Sequence, residues 1–228
     1  MIPAGSQVHS AVQTASSAAP EPQTILENEA YHVMRVDLDN ERQIALPQPG
    51  HDVIVVVLGD GVSLRTVAGG KAESLAYGEV RFVDRNIHGS LLHAGTSLAQ
   101  VLVVGLKQHW DAEIRPCTLP RTCSHPIRVG GQQIGQSESL FTNGFVTAYR
   151  DEISQGGTLN TSYYSKKGTH HLVLIALDDF RASFDGKEQE LSRGQAFGSD
   201  ADEVEIEADS KVSHPVEWIV IRLESGKL

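Results

Sequence analysis

His51, His88 and His93 are the side chains with which this chain could hold a divalent transition metal. Neutral imidazole is the commonest metal ligand, and two or three rings turned toward one cavity make a site for iron, zinc or manganese. Arg81 lies between them in sequence and would suit a small anionic ligand at the mouth of the same cavity. The spacing works against a full metal set. His88 and His93 are five apart and have opposite strand parity, so only a loop or bulge turns both toward one centre. The simpler reading of His51 is a cavity histidine whose nitrogens bond to backbone or water. His170 and His171 are adjacent, and strand alternation sends their rings to opposite faces. No cofactor is therefore expected, and any that binds should be a divalent Fe, Zn or Mn ion. The expected ligand pocket is His51, Arg81, His88 and His93.

The two cysteines, Cys117 and Cys123, sit in a Pro-punctuated connector. Their proximity allows a small disulfide loop, consistent with an oxidising compartment, while two idle thiols remain the alternative. A zinc site from Cys117, Cys123 and His125 would lack a second close pair of ligands. The acidic run Asp200–Asp209 has the oxygens a calcium ion wants. Its alternation with Val204 and Ile206 reads more simply as the exposed face of an edge strand. Asn160-Thr-Ser162 matches a glycosylation acceptor, a triplet that chance supplies easily. A nucleophile elbow, a P-loop and a His-Glu-x-x-His motif are all missing.

The elements that must position these groups are short and β-rich. His51 opens the run Asp52-Val-Ile-Val-Val-Val-Leu58, which is closed by Gly59-Asp-Gly61, as a buried strand ending in a tight turn should be. A related run, Leu172 to Asp179, repeats the arrangement: His51, Leu58 and Asp60 recur as His170, Leu177 and Asp179, each 119 positions later. Asn28 and Arg35 recur as Asn143 and Arg150, and Gly78 as Gly194, so the chain reads as an internal repeat with small loop insertions. Each copy closes on a strand, Gln100–Leu106 and Glu217–Leu223. Short strands at regular spacing with glycine turns predict an all-β sandwich or barrel in each half. The expected organisation is a flexible segment over 1–24, a first domain over 25–107, a linker or crossover over 108–139, and a second domain over 140–228.

Hydrophobic content of 40% is ample for two small cores. A formal charge of -10 supplies no basic surface for phosphate, which excludes a nucleic-acid partner. No apolar run reaches the roughly 18 residues of a spanning helix, so no membrane partner is expected. The Ala-, Ser- and Gln-rich opening is not itself a signal peptide but resembles the stub that follows one. A periplasmic or secreted location is therefore expected ahead of a cytoplasmic one. A small molecule is the expected partner, with a homodimer through edge strands as a further option.

The strand end Val57-Leu-Gly-Asp-Gly61, the segment Leu75-Ala-Tyr-Gly-Glu-Val-Arg-Phe-Val83, the closing strand from Gly95 to Leu106 and their second-half counterparts resemble the cupin superfamily. The likeness is to a two-domain bicupin, which implies two tandem double-stranded β-helix (jelly-roll) barrels. Cupins typically hold a metal with a His-x-His, a Glu three or four residues on, and a later His. The matching first-motif positions here are Pro47, Pro49 and Val53, and in the second half Lys166, Gly168 and Leu172. None suits a metal centre. The resemblance thus implies degenerate metal sites and a small-molecule-binding or structural role. The alternative is a metal-dependent enzyme of dioxygenase or isomerase type with an atypical His51, His88, His93 set.

Overall fold

The computed structural model describes residues 21–40, 42–46, 50–66, 70–108, 113–118, 123–160, 170–184, 186–199, 204–209 and 213–224. Residues 1–20 of the segment expected over 1–24, Pro47, Pro49, Lys166, Gly168, Thr161 and Ser162 lie outside the described residues, and the end of that segment, Gln23 and Thr24, begins β1. The fold is all-β. The first half supplies β1 (Gln23–Glu27), β2 (Tyr31–Leu38), β3 (Gln43–Ala45), β4 (Asp52–Val57), β5 (Val62–Arg65), β6 (Glu73–Leu75), β7 (Val80–Val83), β8 (Ser90–His93) and β9 (Ala99–Leu106). The second supplies β10 (Arg115–Pro116), β11 (Ser124–Val129), β12 (Gln132–Thr142), β13 (Val146–Ile153), β14 (Thr158–Asn160) and β15 (His170–Ala176). It continues with β16 (Phe180–Phe184), β17 (Lys187–Leu191), β18 (Ala196–Ser199), β19 (Val204–Glu207) and β20 (Val216–Glu224).

Antiparallel pairing gives the order β1-β2-β9-β4-β7 beside β3-β8-β5-β6 in the first half, and β12-β13-β20-β15-β18 beside β14-β19-β16-β17 in the second. The two orders match strand for strand. The ladders do not close into one cylinder; each half is a large and a small sheet, the double-sheet solution to burying one apolar face.

Alternation explains why the central runs are aliphatic throughout. All six residues of β4 are buried. Val53, Val55 and Val57 join Val62, Leu64, Leu91, Val101 and Val103 in a core between the two sheets of the first half. Ile54 and Val56 belong instead to a core shared between halves, with Leu102 and Val104 from β9 and Val173, Ile175, Ile219 and Ile221 from β15 and β20. In the second half, Leu172, Leu174, Trp218 and Val220 turn inward against Phe180, Phe184 and Ile206. The large sheets thus pack against each other with one face and against their own small sheets with the other.

The loops that join the halves are equivalent ones. The Tyr77 hydroxyl, after β6, donates to the Leu177 carbonyl at 2.7 Å, and the Arg193 guanidinium, after β17, lies 4.1 Å from the Tyr77 ring centroid. Burial holds the Tyr77 phenol above its ordinary pKa, which keeps it a donor. Gly78 and Gly194 follow with φ of 73° and 84°, a conformation that favours glycine.

Two expectations change. Much of 108–139, read as a linker or crossover, is β11 and β12, a longer hairpin than that reading implied, hydrogen-bonded to the second half's large sheet. Its polar faces hid it, since most of β11 is exposed. The acidic strand β19 does alternate, with Glu205 and Glu207 exposed, but it lies between β14 and β16 and is no edge.

Ile219→Ala should destabilise the fold by about 2–5 kcal/mol, because its side chain fills a core built by both halves. Urea melts followed by tryptophan fluorescence and by circular dichroism should shift together in one transition. A split into two transitions would show that the sheets do not depend on one another.

Candidate functional site

Antiparallel register places His32 of β2 opposite Gly105 of β9, and Gly105 opposite Val53 of β4. By alternation His32 shares a face with Met34, Val36 and Leu38, which pack in the first-half core. The missing side chain at Gly105 makes the room: a Cβ there would come within 2.3 Å of His32 Cε1 and Nε2. His51, immediately before β4, meets His32 edge to face, with centroids 5.9 Å apart and planes at 68°. The two half-buried imidazoles therefore sit together at one end of the first half's inner face.

Burial, then the neighbouring His51 and Lys107, holds the His32 pKa below its ordinary value; Glu27 opposes the shift. Lys107 is itself engaged, its Nζ donating to Glu27 Oε1 and the Asn28 carbonyl, each at 2.7 Å. Glu27 is held below the usual carboxylate range by its hydrogen bond and charge interaction with Lys107. His32 was not singled out in sequence. The only signal was a histidine on a strand whose neighbour carries a mid-strand glycine.

The other sequence-predicted residues do not join this pair. His93 is buried beside the start of the loop after β2; its Nδ1 donates to the Asp39 carbonyl at 2.9 Å. With the proton on Nδ1, its Nε2 is a lone pair with no hydrogen-bond partner, packed where a Cβ on Gly95 would lie 2.5 Å away. Asp39 and His32 are at opposite ends of β2, about 20 Å apart at strand rise. His51 and His93 therefore cannot hold one ion. His88 is exposed in the loop before β8. Arg81 is spent on ion pairs with Glu79, just before β7, and with Glu73 at 2.8 Å, the latter stitching β7 to β6 across the two sheets. Among the described residues no group of three or more His, Cys, Asp or Glu is placed to hold a metal ion. Cys117 and Cys123 are joined as a disulfide with Cα atoms 5.6 Å apart, and the Cys117 amide donates to the Leu140 carbonyl, tying the crossover to β12.

A groove of about 390 Å³ opens on the second half, lined by Ser124, Gln136, Glu138, Arg150, Glu152 and Glu217 among others. Register explains the cluster: Glu138 pairs with Arg150 and Gln136 with Glu152, so they share one face of the sheet. Arg150 Nε and Nη2 donate to Glu217 Oε2 at 3.0 and 2.6 Å. Arg150 was noticed in sequence only as a mark of the repeat.

Solved structures of known proteins share this arrangement at the level of overall fold, among them a cupin 2 barrel protein. The chain has the cupin fold. It is similar to a cupin 2 conserved barrel domain protein from Leptotrichia buccalis, at 12% identity and a TM-score of 0.57 over 90% of this chain and 88% of that one. It is similar also to procruciferin, an 11S globulin of Brassica napus, at 11% identity and a TM-score of 0.56 over 86% and 77%. Salicylate 1,2-dioxygenase from Pseudoaminobacter salicylatoxidans, solved with gentisate, matches at 9% identity and a TM-score of 0.57 over 85% and 68%. At these identities the likeness is one of fold alone. No protein-family model and no curated protein matches the chain.

The lowered His32 pKa fixes a pH dependence. The unfolded chain takes up this proton near the ordinary value of 6.5, before the folded chain does, so stability falls as the pH drops below that value. His32→Gln should flatten this part of the profile when melting temperature is measured from about pH 8 to about pH 5. An unchanged slope would mean that other groups set it.

Proposed function

We propose that the chain is a bicupin, two tandem jelly-roll barrels over 25–107 and 140–228, that binds a small molecule or serves a structural role without the usual cupin metal triad. The matching strand orders of the halves support the tandem arrangement. The observation that carries the absence of the triad is the placement of Val53 and Leu172. At these first-motif positions each half turns a hydrocarbon side chain into its own core, where a metal-holding barrel needs a ligand. Apolar packing continues along both inner faces, which leaves the rims and grooves for a ligand.

The β12–β13 groove has the volume of a small-molecule site. Its carboxylates, Glu138, Asp151, Glu152 and Glu217, outnumber the single guanidinium of Arg150, so it favours a ligand carrying an amine or guanidinium group. This replaces the anionic ligand expected at Arg81, whose charge is already matched.

Protein purified without chelator should carry well under one equivalent of iron or manganese per chain by elemental mass spectrometry, and remain folded. One equivalent retained through purification and lost in His51→Ala would instead support a metal-dependent enzyme. In a thermal-shift panel, amine or guanidinium compounds should raise the melting temperature, and the double variant Glu138→Gln, Glu152→Gln should abolish the rise. Stabilisation by carboxylates alone would place the ligand elsewhere.

A further inference from the structure

The geometry points to an exchangeable transition-metal site at the His32–His51 pair, in which one zinc-like ion is shared by the two imidazoles and completed by water. The ring centroids are 5.9 Å apart. Two imidazoles that each place a nitrogen ~2.1 Å from one shared ion have centroids roughly 5–6 Å apart, the range in which this pair falls. Among the described residues neither ring makes a hydrogen bond. The cation nearest the pair, Lys107, has its charge matched by Glu27 at 2.7 Å. Gly105 completes the site by giving the His32 ring a place on the sheet that any other residue would fill.

The site is separate from the family's ligand positions. His32 lies on β2, which supplies none of the expected ligands, and the second half replaces it: the equivalent row reads Thr147, Arg222 and Leu172. With two protein ligands the ion is held weakly enough to be lost on purification. Metal-poor purified protein is therefore consistent with this site and with the absence of the triad. Tightly retained iron or manganese would overturn the latter and leave this site standing.

Zinc chloride titrated calorimetrically into the full chain without a histidine tag should show one saturable site. Its affinity should fall about tenfold or more in His32→Ala and in His51→Ala, and stay unchanged in His88→Ala. Gly105→Ala should weaken binding similarly by displacing the His32 ring. Thermal melts of each variant establish that it is folded. If a variant does not fold, the unmutated protein answers directly: added Co²⁺ should broaden the His32 and His51 ring signals together in NMR spectra. No saturable zinc binding, affinity unchanged from the unmutated protein in both alanine variants, loss in only one of them, or broadening confined to other histidines would each overturn the proposal.

Discussion

A β-sheet in a small protein can keep one face in water, but the large sheets here cannot. β4, β9, β15 and β20 bury both faces, one against the small sheet of their own half and one against the other half. The contact between large sheets removes Ile54, Val56, Leu102, Val104, Val173, Ile175, Ile219 and Ile221 from water at once. At about 25 cal/mol per Å² of apolar surface this is a dominant favourable term. Polar chemistry is displaced to where the double burial ends. The His32–His51 pair lies at the end of one inner face, and the Arg150 groove flanks the sheet beyond the shared core.

Much of the fold was legible because the same constraint writes itself into composition. A strand wet on one face alternates, whereas a strand dry on both reads as an unbroken aliphatic run, and Val53 to Leu58 and Leu172 to Leu177 do so. The repeat was legible for a related reason. Asn28 and Asn143 recur because each caps the turn into its large sheet, accepting amide hydrogens from Ala30 and Tyr31 in one half and from Phe145 and Val146 in the other.

The site was less legible, since its members are joined by register and not by spacing. His32 acquires meaning only from Gly105, which lies beside it across a ladder, and nothing local in either segment announces the pairing. Arg81 and His93 carried the right chemistry to the wrong places, one into ion pairs at a sheet edge and one into a backbone contact at the far end of β2. The β11–β12 hairpin failed the hydrophobic test because it is held mainly by its ladder and Ile127.

The stacking of Arg193 on Tyr77 joins residues that occupy the same place in the two halves, one position before Gly78 and Gly194. Two identical copies meeting about this axis would set arginine on arginine or tyrosine on tyrosine. Only the meeting of a first half with a second half brings a cation to an aromatic face there. The contact therefore makes each half selective for its unlike counterpart over a second copy of itself.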